Sequence, residues 1–165
     1  MSTPQQTLVI RRANAEDGAR IHDLVQQCPP LEVNTAYAYA LLATHFGRTT
    51  AVAENGDGLA GFAAGYRLPD ATDTLFIWQI GVHERGRGLG LGQALLMELI
   101  GRDDPVPVRY LEATVSPSNT ASRRLFRGLA ERLGVPCEER AYFEPEHFGG
   151  GEHEPEALFR VGPLR

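Results

Sequence analysis

The chain has 165 residues, 42% hydrophobic and 22% charged, with a formal net charge of −5. These are the proportions of one packed domain over residues 1–165, not of a disordered segment. All 16 cationic side chains are Arg, so the absence of Lys excludes Schiff-base chemistry and Lys-bearing phosphate loops.

The Arg residues are dispersed along an acidic chain, which argues against a basic face for nucleic acid and leaves a small phosphate ligand open. Cys28 and Cys137 are too few for a disulfide framework and suit a reducing cytosol. No apolar run approaches the ~20 residues of a membrane span, and Met1 to Thr7 is polar with no signal-peptide core. The expectation is a soluble, cytoplasmic chain with no membrane partner.

In chain order, Leu8–Arg11 reads as a short strand. Asn14 is placed as the cap of a helix presenting Ile21, Leu24 and Val25 on one face. Cys28-Pro29-Pro30 ends that helix, because prolines remove donors and push the preceding residue out of helical geometry. Thr35–Phe46 is a second helix, with Tyr37, Leu41 and Leu42 spaced for burial. Strands Thr50–Glu54 and Leu59–Tyr66 are joined through the turn formers Asn55-Gly56-Asp57-Gly58, hence a hairpin.

Thr74–His83 is the most strand-like stretch, followed by a Gly-rich turn and a helix from about Gly88 to Gly101 with Ala94, Leu95 and Leu99 in its apolar stripe. Val108–Val115 is a strand, Ser116–Asn119 a turn, and Asn119–Leu133 a helix. Glu139–Phe143 and Ala157–Val161 are short strands flanking a Gly- and Glu-rich loop. The order implies a mixed α/β (α+β) sheet with helices covering both faces.

The sharpest chemical signal is Arg85-Gly86-Arg87-Gly88-Leu89-Gly90, after a strand and opening a helix. A helix N-terminus offers unpaired N–H groups, glycines let oxygens approach the backbone, and the Arg residues add charge, a combination suited to a pyrophosphate. The dinucleotide fingerprint G-x-G-x-x-G is not satisfied, since Leu91 or Gln93 occupies its last position. Between Glu138 and Glu156 lie seven Glu and one Arg, which favours a cationic substrate. Glu156, with His153 three residues earlier, stands out there. Glu32, in a constrained loop and supported by Tyr37, is the second carboxylate of interest. Trp78 offers a ring face to an ammonium or, alternatively, ordinary core. His147 and His153 match no metal-binding spacing, so no metal is expected.

Arg85-x-x-Gly88-x-Gly90 resembles the Arg/Gln-x-x-Gly-x-Gly/Ala motif of the GCN5-related N-acetyltransferases. That resemblance implies a mostly antiparallel central sheet whose motif strand splays from its neighbour, and acetyl-coenzyme A as cosubstrate. It assigns Ile80, Gly81 and Val82 to the pantetheine and thioester. Arg85, Gly86, Arg87, Gly88, Leu89 and Gly90 fall to the pyrophosphate, and Asn119 and Arg124 to a second cofactor motif.

The chain is similar, more closely still, to the L-2,4-diaminobutyrate acetyltransferases of ectoine biosynthesis. The residues that carry this are Cys28-Pro29-Pro30-Leu31-Glu32-Val33-Asn34-Thr35, Tyr37, Tyr39, Thr44-His45-Phe46, Asp73–Gln79, Ser116–Ser122, and the tail from His147-Phe148 to Gly162-Pro163. It implies acetylation of the 4-amino group and a homodimer. Two departures stand: Glu32 where Asp is expected, and Phe126 where many relatives carry the Tyr that protonates the departing thiolate.

Holding a lysine-like ammonium neutral at pH 7 costs about 4.6 kcal/mol, which a carboxylate base can offset. Glu156 assisted by His153 is the first candidate and Glu32 the second, with Trp78 beside the reacting amine. The backbone N–H of Val82 is the resemblance-implied oxyanion donor. Two rival readings remain: the same fold acting on another small amine or a peptide amino group, and a silent acyl-coenzyme A sensor.

Overall fold

The computed structural model describes residues 7–165; residues 1–6, and with them most of the polar N-terminal stretch, lie outside the described residues. The strands are β1 (Val9–Arg12), β2 (Thr50–Asn55), β3 (Gly58–Leu68), β4 (Ala71–Val82), β5 (Tyr110–Val115), β6 (Cys137–Phe143) and β7 (Glu156–Val161). The helices are α1 (Asp17–Gln26), α2 (Ala36–His45), α3 (Leu91–Ile100) and α4 (Thr120–Leu133). Strands hydrogen-bond in the order β1-β2-β3-β4-β5-β7-β6. The β4–β5 pair is parallel, whereas β1–β2, β2–β3, β5–β7 and β6–β7 are antiparallel. None of the described helices is long and apolar enough to cross a membrane.

The chain forms two compact units, one holding the residues up to Tyr66 with Gln79–Arg102, the other Arg67–Trp78 with Asp103–Arg165. In the first, β2 and β3 carry long runs of buried residues and lack the alternation of a half-solvated sheet. Ile21, Leu24 and Val25 of α1 bury together with Tyr39, Val52 and Phe62. Helices α1 and α2 cross closely: a Cβ on Gly18 would lie 2.7 Å from the Ala40 Cα, so only Gly fits there.

In the second unit, α4 buries Phe126, Leu129 and Ala130 at helical spacing. There β7 pairs with β5 from Leu111–Val161 to Val115–Ala157, and with β6 on its other edge.

Several boundaries shift from the sequence reading. Asn14 is not the cap of α1; Glu16 holds that position, and Asn14 Oδ1 accepts from the Glu16 amide in a turn one step earlier. Tyr37 is 72% exposed, and the buried tyrosine of α2 is Tyr39. The sequence AYAYALLATH is apolar on every side of the helix, so periodicity names no face. Helix α3 starts at Leu91 and not Gly88, because Gly88 and Gly90 hold φ of +77° and +70°, outside the helical region. Strand β5 starts at Tyr110 and not Val108, while β6 starts earlier, at Cys137.

Candidate active site

In the first unit, β4 delivers the chain into the Gly-rich turn. His83 N donates to Ala60 O (2.8 Å), and a short 3-10 turn follows over Glu84–Gly86. Its own bonds engage three amides: Arg85 N to His83 Nδ1, Gly86 N to His83 O, and Arg87 N to Glu84 O. Gly86 is buried, and a Cβ there would meet Leu91 and Val82 at 3.2 and 3.3 Å. It is a packing glycine.

The open amides come next. Gly88, Leu89 and Gly90 donate to no backbone carbonyl among the described residues. The first helical bond of α3 runs from Ala94 N to Gly90 O, which leaves the amides of Leu91, Gly92 and Gln93 without a helical acceptor. A Cβ at Gly88 or Gly90 would meet nothing within 4 Å, so the backbone stands open to a ligand. This cradle suits a pyrophosphate.

Arg85 is pinned through Nη2 to Leu59 O (2.9 Å) beside a cleft of about 520 Å³ bordered by Asn55, Ala60 and Leu89. Arg87 is exposed and in no ion pair among the described residues. Upstream, Gly81 is buried between Leu31 and Phe62, and Ile80 and Val82 are half-buried.

Glu32 also lies in this unit, exposed and in no ion pair among the described residues. Its backbone is held: Gln79 Nε2 donates to Glu32 O (2.8 Å), and Tyr39 OH donates to Gln79 Oε1 (2.8 Å). Tyr37 stands on the same stretch, in the first turn of α2, behind the Thr35 cap whose Oγ1 accepts from Ala38 N.

The second unit holds the other candidates. Glu156 opens β7, and its Oε1 accepts from Thr114 Oγ1 (2.8 Å). His153 Nε2 is 4.0 Å from Glu156 Oε2, so the pair anticipated from their spacing is brought together. Phe148 stacks on the His153 ring, centroids 3.8 Å apart. Trp78 is 39% exposed, which sets aside the fully buried core alternative. The β4–β5 ladder pairs Thr74–Phe76 with Tyr110–Glu112 and goes no further, although both strands continue.

Asn119 caps α4, its Oδ1 accepting from Ser122 N (3.1 Å), which leaves its Nδ2 to donate. Arg123 and Arg127 pair with Glu139, whereas Arg124 is exposed and in no ion pair among the described residues. Phe126 is fully buried against Phe159. Burial pushes both Cys28 and Cys137 thiols up, against the lowering by Arg87 and Arg127 respectively, and keeps them protonated.

Sequence reasoning assigns no role at the site to Gln79, Thr114, Phe148 or the buried Tyr39, although Tyr39, Gln79 and Phe148 lie in segments that carry the resemblance. A lone amide in an apolar strand was the one available signal, at Gln79; Thr114 and Phe148 acquire partners only through the fold.

Residues 18–130 match the Acetyltransferase (GNAT) family. The chain belongs to that family. Across 156 residues it is 46% identical to the L-2,4-diaminobutyric acid acetyltransferase of Bordetella parapertussis, covering 94% of this chain and 84% of that protein. Similarity to the enzyme of the same name from Halomonas elongata is also 46%, over 159 residues, 96% of this chain and 82% of the relative. Among solved structures, the diaminobutyrate acetyltransferase of Paenibacillus lautus, in complex with L-2,4-diaminobutyric acid and coenzyme A, superposes with a TM-score of 0.90 at 39% identity over 96% of both chains. In this GNAT chain the open-amide turn lies between β4 and α3.

Proposed function

We propose that this single GNAT domain transfers the acetyl group of acetyl-coenzyme A to the 4-amino group of L-2,4-diaminobutyrate, a step of ectoine biosynthesis serving osmoadaptation. The observation that carries this reading is the 0.90 TM-score match, along nearly the whole chain, to a protein solved with that amino acid and coenzyme A.

The amides of Gly88–Gln93, with the charge of Arg87, hold the pyrophosphate; Asn119 Nδ2 and Arg124 serve the same ligand. The backbone of Ile80–Val82 lines the pantetheine and thioester, and Val82 N–H stabilises the oxyanion. Arg85 shapes the turn and adds charge. Glu32 and Tyr37 bind the diamino acid, and Trp78 offers its ring face to an ammonium. Glu156 takes a proton from the attacking ammonium while Thr114 fixes its carboxylate and His153 faces it. The acetyl group passes directly, with no acyl-enzyme, in keeping with two protonated thiols.

Buried Phe126 presents no acidic group, and this favours one second reading, a silent acyl-coenzyme A sensor. Release of free thiol on mixing enzyme, acetyl-coenzyme A and diaminobutyrate supports the transferase; tight acetyl-coenzyme A binding without thiol release, across diamines and peptide amines, supports the sensor. The resemblance further supports a cytoplasmic homodimer, to be checked by sedimentation.

A further inference from the structure

A buried polar chain runs from α2 to β4 and back to the loop before α2. Tyr39, fully buried, donates its hydroxyl proton to Gln79 Oε1 (2.8 Å), and Gln79, 8% exposed, donates from Nε2 to Glu32 O (2.8 Å). The Tyr39 oxygen also accepts from Asn34 N and Nδ2 at 3.4 and 3.5 Å. Both ends of the segment Glu32–Asn34 are thus tied to one buried amide–phenol pair. The Asn34 side chain turns inward to Tyr39, while the side chains of Glu32 and Val33 stay exposed.

A backbone held from beneath while its carboxylate stays free restricts where that carboxylate stands. Leu31 completes the anchor by packing on Gly81, where a Cβ would come within 2.7 Å of Leu31 Cδ1. Polar groups buried this deeply are fixed because each loses its partner if the loop moves.

We infer that Gln79 and Tyr39 are positioning residues for the amino-acid substrate: they fix the 32–34 loop so that the Glu32 carboxylate is pre-set for an ammonium. The inference rests on the reading of Glu32 as an amine-binding carboxylate. It assigns the pair no contact with substrate and no proton transfer.

The test is steady-state kinetics of Tyr39→Phe, Gln79→Glu and Glu32→Gln, with KM measured for both substrates. Tyr39→Phe keeps the ring, which packs edge-on to Phe62 (6.4 Å) and tilted to His22 (5.9 Å), and removes only the hydroxyl. Gln79→Glu keeps the acceptor for Tyr39 and sets an oxygen against the Glu32 carbonyl. Each is expected to raise KM for diaminobutyrate about 3- to 10-fold and leave KM for acetyl-coenzyme A within about twofold. The double variant Glu32→Gln/Tyr39→Phe is expected to be no worse than Glu32→Gln alone, since the pair acts through Glu32.

Lowered melting temperature with both KM values unchanged in Tyr39→Phe, or an equal rise in the two, overturns the inference and leaves the chain a stability device. Should Glu32→Gln raise KM for diaminobutyrate while neither positioning variant does, only the positioning role falls. Should Glu32→Gln itself leave that KM unchanged, the reading of Glu32 falls and takes this inference with it. If Gln79→Glu fails to fold, Tyr39→Phe alone decides.

Discussion

His153 Nδ1 lies 2.6 Å from the backbone oxygen of Glu154. A carbonyl can only accept, so Nδ1 carries the proton, and the Nε2 that faces Glu156 holds the lone pair in the neutral ring. The ring therefore accepts a proton at Nε2 and, once charged, pairs with Glu156 across 4.0 Å. Phe148 and the Glu154 carbonyl hold it in that orientation. In the proposed mechanism, carboxylate and imidazole share one proton-accepting role.

Replacing Glu156 with Gln removes the proposed base while keeping the Thr114 contact available. Turnover near pH 7 is expected to fall more than about 10-fold, with the deficit shrinking as pH rises towards the amine pKa, because free amine then needs no base. A pH–rate profile parallel to wild type with a smaller loss moves the base to Glu32 or to ordered water.

Thr114→Val leaves Glu156 without its one hydroxyl donor among the described residues. The expected outcome is a several-fold drop in kcat with KM for acetyl-coenzyme A unchanged, measured by initial rates. No change in kcat would mean that the carboxylate needs no fixing.

The open turn makes Gly88→Val a probe of the phosphate cradle. A Cβ at Gly88 meets no atom of the described residues within 4 Å, but φ of +77° is strained for Val, and the branched group stands among the free amides. Calorimetric titration should show acetyl-coenzyme A affinity reduced at least about 10-fold in a folded variant. Unchanged affinity removes the turn from the ligand site.

Acid stability rests on a four-member ionic network in the first unit. Asp17 accepts from Arg11, Arg20 and the Asn14 amide, and Glu54 from Arg11 and Arg20. Burial pushes the Asp17 carboxyl up, but the bonds from Arg11 and Asn14 and the charges of Arg11 and Arg20 outweigh it, so it ends below the ordinary value; Glu54 is lowered by its bonds to Arg11 and Arg20. Carboxylates lowered in the folded state contribute fully above their unfolded pKa of about 4 and lose that contribution as pH falls through the folded value. Asp17→Asn is expected to cost about 3 kcal/mol at pH 7 and to flatten the loss of stability below pH 4. Denaturant titrations at pH 7 and pH 3 check both.

Much of this was readable from the residues. Thr35 and Asn119 cap their helices because a side-chain oxygen three residues before a free amide has a local partner. The Arg85–Gly90 turn, the hairpin and the facing of His153 and Glu156 also follow from local spacing. The Tyr39–Gln79 bond spans 40 positions and Thr114–Glu156 spans 42, so sequence proximity carries no trace of either. Within the turn, glycines alone do not distinguish amides engaged by the 3-10 bonds from those left open.

Acetyl transfer to the 4-amino group is tested most directly by the product itself. Wild-type enzyme incubated with acetyl-coenzyme A and L-2,4-diaminobutyrate should yield a monoacetylated amino acid by mass spectrometry, with nuclear magnetic resonance placing the acetyl group on the 4-nitrogen. Unmodified diaminobutyrate, or acetyl on the 2-nitrogen, would contradict it.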